Sequence, residues 1–274
     1  MKTLVCSSVR PLMRRTLLQA AAAALLVPTW QTAHAQPLAL STAINRTARF
    51  RALSQRIAKA YCQIHLNVLP EQSRAVLASA RKLVHSGFAD LAQTQWSPEL
   101  SAQLLQVQAL AQGLEALLVL PPSKESVAAV ALQADKMLLS ADVATQSLEK
   151  LSKTNSARLV NMAGRQRMLS QRMAKNYSLV AAGLTNQAMT NQMISDATQF
   201  KQALVILSAA PVSSSGIRNE LALGESQWVF FDAALQRQPD ARGLQAVATT
   251  SERLLEVMDK VTGMYDVALK NELG

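Results

Sequence analysis

The chain has 274 residues, with 28 Lys and Arg against 18 Asp and Glu, a formal net charge of +10 and only 4 % aromatic residues. Two cysteines and three scattered histidines exclude a disulfide-framed fold and argue against a metal or haem centre, so no cofactor is expected. So basic a chain would ordinarily raise nucleic acid as a partner, but the first segment, read next, takes that partner out of reach.

Arg10, Arg14 and Arg15 precede an apolar run over 17–27, and Ala33-His34-Ala35 forms a small-x-small cleavage site before Gln36. This is the pattern of a secretory signal over residues 1–35. Arg14-Arg15 followed by Thr16-Leu17-Leu18 also fits a twin-arginine signal, although Gln19 stands where Lys is commoner; an ordinary export signal fits as well. The expected location is the periplasm. Losing 1–35 removes four cations and no acid, which leaves a net charge of +6. Cys62 is then the only cysteine, so a free thiol or an intermolecular bridge remains. Beyond the signal, nothing approaches the roughly 18 apolar residues of a membrane span.

The remaining sequence is rich in Ala, Leu and Gln, with apolar residues at three- and four-residue spacing, which is the helical period. Breakers divide it. A first helix is expected over 41–67, ended by Pro70. A second runs to about residue 95, and Ser97-Pro98 opens a third with Pro in its first turn. Pro121-Pro122 ends the third, and Ser123 caps a fourth. The junction over 149–156 reads EKLSKTNS, with capping residues but no Pro or Gly. A break there turns the fifth helix back to run parallel to the first; without one, the fourth and fifth form a single rod of about 90 Å. The break is the expectation. A fifth helix over 155–182 stops at Gly183, a sixth over 186–210 stops at Pro211, and Gln238-Pro239 separates a seventh from an eighth reaching 272.

The chain repeats itself. Residues 44–64 (INRTARFRALSQRIAKAYCQI) and 160–180 (VNMAGRQRMLSQRMAKNYSLV) are identical at ten of 21 positions, 116 residues apart. Pro70 maps to Asn186, Pro98 to Ser214 and Pro122 to Gln238 at the same offset, so the repeat spans the whole mature chain. The expected fold is all-α: two tandem up-down-up-down four-helix bundles, over 36–153 and 154–274.

The identities are mostly polar and cationic, whereas repeats kept only for packing match in their apolar residues. On a helical wheel Phe50, Leu53, Ile57, Tyr61 and Ile64 form the stripe packed inside the first bundle. Arg51 falls nearly opposite, on a face with Ser54, Gln55, Ala58 and Cys62; Arg167, Ser170, Gln171, Ala174 and Ser178 are its counterparts. Two such faces meeting would bring Arg51 and Arg167 together. Buried guanidiniums repel and are costly to desolvate. A flat oxyanion between them would remove that cost, and guanidinium offers a planar fork of donors suited to one. Without ligand, truncating either arginine should leave the fold intact or slightly more stable. Arg49, Arg56 and Lys59, with Arg165, Arg172 and Lys175, read as solvated or intrahelical charges, and Asn45 and Asn161 as caps or first-turn hydrogen bonders. Met162, Met168, Met173, Met189 and Met193 read as core methionines.

The stretch VNMAGRQRMLSQRMAK resembles the signature of the PilJ-type sensor domain, the N-terminal domain of type IV pili methyl-accepting chemotaxis transducers. It is also similar to the nitrate- and nitrite-sensing domains of certain histidine kinases. There a related stretch, the P-box, lies on the first helix of a periplasmic four-helix bundle, and an Arg from each subunit clamps one nitrate. The resemblance places that Arg at Arg167 and at Arg51; Arg49, Ser54, Gln55, Arg165, Ser170 and Gln171, their neighbours in the two motifs, are the candidates for a layer around the clamp. The first copy departs from the signature, with Ala48 for Gly164 and Arg46-Thr47 for Met162-Ala163.

The functional expectation is an exported, non-enzymatic sensor-type protein that clamps nitrate or nitrite between its two P-box-like helices and signals through a separate membrane-bound partner. No catalytic constellation or phosphate loop stands out, and Glu115, Asp135, Asp142 and Asp259 read as scattered acids on solvated faces. The alternative is a helical adaptor whose basic stripe docks a receptor, transporter or pilus component without a small ligand.

Overall fold

Polar caps and prolines start the helices close to where the breakers place them. The structure, a computed structural model, describes residues 38–273; the expected signal over 1–35 lies outside them. The helices are α1 (Leu40–His65), α2 (Pro70–Leu91), α3 (Pro98–Leu117), α4 (Lys124–Ser152), α5 (Asn155–Ala181), α6 (Gln187–Ala209), α7 (Ser215–Leu235) and α8 (Ala241–Leu273). The described residues contain no strand. Pro70 and Pro98 occupy first-turn positions, where the missing N–H is no loss. Ser97, Thr154, Asn186 and Ser214 each accept a backbone N–H in the first turn of their helix, and Ser123 and Ser126 form a reciprocal capping box on α4. The junction breaks at Lys153, which adopts a left-handed conformation at φ 52° between the two helices.

Residues 38–273 form one compact unit. The centre is not the interior of either repeat but the pair α1–α5. Helix α1 packs most extensively against α5 and α4, and α5 against α8; α2 and α6 flank the pair, and α3 and α7 lie outside on α4 and α8. The two central helices run parallel. Passing from Asp259 to Ser251 along α8, the partners on α1 advance from Arg49 to Lys59 and those on α5 from Arg167 to Gln171. Burial follows. Twenty of the 26 residues of α1 and 19 of the 27 of α5 are buried, so these helices are enclosed on nearly all sides rather than amphipathic. Met168 and Met173 are core residues, and Met162, Met189 and Met193 pack against the core from its edge.

The structure corrects the repeat register. In α1/α5 and α2/α6 the offset is 116, as Val84 and Phe200 or Leu91 and Leu207 show by their matching burial. In α3/α7 and α4/α8 it is 117: Leu100 matches Ile217, Leu114 matches Phe231, and Leu148 matches Tyr265. One additional residue in the α6–α7 connection accounts for the change. Ser97 therefore corresponds to Ser214, both of them caps, and Pro122 to Pro239 rather than Gln238.

Candidate functional site

A ladder of buried polar side chains runs down the α1–α5 pair, and each rung occurs twice. Its tightest point is Gly164. A Cβ there would lie 3.0 Å from the Ala48 Cβ, 3.2 Å from Arg167 Nη2 and 3.6 Å from Arg51 Nη2. The absent side chain lets the helices close, and both guanidiniums converge on the gap. Arg51 is 1 % exposed and Arg167 is 0 % exposed. The wheel reading thus placed both arginines on the correct face, and the fold brings them together.

Both are already partnered. Arg51 donates from Nη1 to Asp142 at 2.5 Å, from Nη2 to Asn161 Oδ1 at 2.7 Å, and from Nε to the Ala48 carbonyl at 3.4 Å. Arg167 donates from Nη1 to Asp259 at 2.7 Å and from Nη2 to Asn45 Oδ1 at 3.0 Å, while its Nε has no partner. In the corrected register Asp142 and Asp259 are equivalent. So are Glu149 and Asp266, which accept from the carboxamides of Asn161 and Asn45. The acids expected on solvated faces therefore supply the counter-charge, and the asparagines, expected as caps, bridge the repeats. The like-charge premise behind the expected relief on truncating Arg51 or Arg167 is corrected, because each already has a carboxylate.

Further down the ladder, Gln55 donates to the Ala134 carbonyl and Gln171 to that of Ser251, another equivalent pair, and neither Oε1 has a partner. Ser54 and Ser170 donate to the carbonyls of Arg51 and Arg167, within their own helices. The next rung is cationic. Lys59, fully buried, donates to Glu252 at 2.6 Å and to Ser251 at 3.1 Å; Lys175 donates to Asp135 at 2.6 Å. Each lysine crosses to the other repeat. Tyr61 and Tyr177 close the ladder, donating to loop carbonyls at Leu120 and Gln238.

Of the remaining motif cations, all but Arg165 are ion-paired between helices rather than solvated. Arg49 shares Asp259 with Arg167 at 2.6 Å, Arg56 donates to Glu252, and Arg172 makes a bidentate pair with the buried Asp196. Arg165 is the most exposed of them; it donates to Gln199 and lies 4.0 Å from Asp142. The basic stripe of the adaptor reading is consequently not a free surface. Cys62 is likewise fully buried, so an intermolecular bridge would require the fold to open.

The electrostatics follow from this packing. Burial lowers the Arg167 pKa to about 10, and Arg49 and Arg51 push in the same direction against Asp259. Burial also lowers Arg51, with Asp142 opposing. Burial would raise the Glu252 carboxyl, but the charges of Lys59 and Arg56 outweigh it and hold it at about 2. Four guanidiniums, of Arg49, Arg51, Arg165 and Arg167, gather at the layer of Gly164 around Asp142 and Asp259, with Glu149 and Asp266 one asparagine further out. A cavity of about 510 Å³ opens beside it between α1 and α8, with Arg49, Arg56, Arg167 and Asp259 among its lining residues.

Among the described residues no helix is long and apolar enough to cross a membrane. No curated protein and no solved structure matches the chain. Residues 151–228, which cover α5, α6 and most of α7, match the family described as "Type IV pili methyl-accepting chemotaxis transducer N-term". That family is of the sensory transducer kind rather than a catalytic one, and the match begins three residues before the cap of the helix carrying Gly164 and Arg167. The matched stretch of the second repeat is thus similar to a PilJ-type domain.

Proposed function

We propose that the protein is an exported, periplasmic sensor-type binding protein in which Arg51 and Arg167 take a small flat oxyanion, nitrate or nitrite, between α1 and α5. The observation that carries this reading is the convergence of two fully buried guanidiniums on the gap at Gly164. The unpartnered Arg167 Nε and the cavity leading to Arg167 support it. The oxyanion takes the Nη2 donors now used by Asn45 and Asn161. Those carboxamides also hold Asp266 and Glu149, so occupancy loosens the ties between the beginnings of α1 and α5 and the ends of α8 and α4. A ligand shifts an equilibrium only by its differential contacts with two states, and the exchange of asparagine for anion is that difference. A separate membrane-bound signalling or transport protein reads the change.

Calorimetric titration with nitrate, nitrite, sulfate and chloride tests this. Saturable binding of one nitrate or nitrite per chain is expected, weakened by Arg51→Lys and Arg167→Lys because an ammonium lacks the planar fork. No binding of any of the four at millimolar concentration overturns it.

The adaptor reading finds its support elsewhere. Helix α4 exposes Leu132, Leu139 and Val143 at 60, 65 and 53 %, whereas their α8 equivalents are Thr249, Glu256 and Lys260. Because α4 also holds Arg51 through Asp142, this face suits the same membrane-bound partner. Leu139→Asp should abolish that association and leave the nitrate titration unchanged.

A further inference from the structure

The two repeats fill corresponding spaces differently. Between α6 and α7, Phe200 stacks on Trp228 with centroids 4.5 Å apart, and Phe231 meets the indole edge-on at 6.0 Å. In the first repeat the equivalent positions hold Val84, Ala111 and Leu114. None of these three positions carries a ring. The space between α2 and α3 is instead a cavity of about 910 Å³, lined by Val84, Phe88, Trp96 and Ala111, a size and apolar character typical of small-molecule sites. Phe88 is held by a parallel stack on Phe50, centroids 4.3 Å apart, and presents an aromatic wall. Arg81 and Glu115 also line the cavity and pair with each other across it at 2.5 Å, with side chains 44 and 22 % exposed.

We infer that this cavity binds an aromatic α-amino acid of tryptophan size. The ring occupies, as a free molecule, the place that the second repeat fills with its own indole, stacking on Phe88 between Val84 and Ala111. The charge pattern of the lining is complementary to the rest of the ligand: Arg81 takes the α-carboxylate and Glu115 the α-ammonium, each exchanging its present partner for the ligand's opposite charge. An aromatic compound without the zwitterion satisfies only the wall, and an amino acid without the ring satisfies only Arg81 and Glu115.

Calorimetry with L-tryptophan, indole and L-alanine on the purified protein separates these contributions. Tryptophan should saturate one site per chain, more tightly than indole, with alanine silent. Ala111→Trp, which rebuilds the indole of the second repeat, should abolish binding, as should Val84→Phe; the second variant carries the test if the first fails to fold by circular dichroism. Arg81→Ala and Glu115→Ala should each weaken tryptophan about tenfold, the loss of one charge-assisted hydrogen bond, and leave indole unchanged. Absence of saturation by tryptophan, or unchanged binding in a folded Ala111→Trp or Val84→Phe protein, overturns the site. Indole binding as tightly as tryptophan, with Arg81→Ala silent, overturns the amino-acid assignment.

Discussion

Arg51 leaves its own repeat to donate to the side chain of Asn161 at 2.7 Å, and the reciprocal bond from Arg167 to Asn45 measures 3.0 Å. Each arginine therefore ties three helices, because its other terminal nitrogen holds an aspartate on α4 or α8. The asymmetry of exposure within each pair decides what a substitution does. Arg167 is 1 % exposed at its side chain and Asp259 is 40 % exposed. Removing the aspartate strands a cation in the interior; removing the arginine leaves a carboxylate that reaches water and keeps Arg49.

Asp259→Ala should accordingly destabilise the protein by about 3–5 kcal/mol, the usual cost of stranding a buried charge. Arg167→Met, which keeps the apolar stem, should cost well under that. Urea denaturation of the two variants checks the order, and the reverse order would show that the carboxylate, not the guanidinium, is the group trapped in the interior.

Gly164→Val should separate α1 from α5. Its first side-chain atom already meets Ala48 and Arg167 at distances tighter than ordinary contact, and overpacking of this kind costs about 1–3 kcal/mol. The equivalent change at Ala48, which already carries a Cβ, should cost less. Chemical denaturation of Gly164→Val and Ala48→Val measures the difference.

Stability should fall in acid. The Glu252 carboxyl sits at about 2 in the folded protein against an ordinary 4.5. Because the folded value is the lower, its contribution is complete above about pH 4.5 and is lost as the pH drops toward 2, a loss of up to about 3 kcal/mol from this group. Asp259, also lowered, adds in the same direction. Denaturation midpoints between pH 5 and 2.5 should decline, and Glu252→Gln, although less stable at neutral pH, should show a shallower decline.

Cys62 should be silent to thiol reagents in the native chain from residue 36 onward. It has no exposed surface, and burial pushes its thiol up to about 12. Ellman's reagent at pH 8 should react with one equivalent only after denaturant is added, at a rate that follows unfolding.

Much of this was legible in the sequence. Ser97-Pro98, Ser123 and Gly183 marked helix ends because capping and backbone strain are local, and the wheel set Arg51 and Arg167 on the inter-repeat face because helical period is local too. Their carboxylate partners were not legible. One extra residue between α6 and α7 turns the later helices by about 100° relative to a uniform offset, so Asp142 does not align with Asp259 until the loop is allowed for. Nor did Lys59 announce itself as buried: its composition class favours solvent, and only the enclosure of α1 on all sides by α2, α4, α5 and α8 removes that option.

The connection through Lys153 and Thr154, two residues long, has a consequence for how the protein can vary. Two separate subunits meeting along such helices would have to find each other at a rate set by their abundance, and every substitution would appear on both sides of the axis. Tethering makes the encounter intramolecular, so its strength no longer depends on dilution, and it releases the halves from identity. Phe200 and Val84, or Asp196 and Ala80, record that release: one half is free to close its interior while the other leaves room for something else.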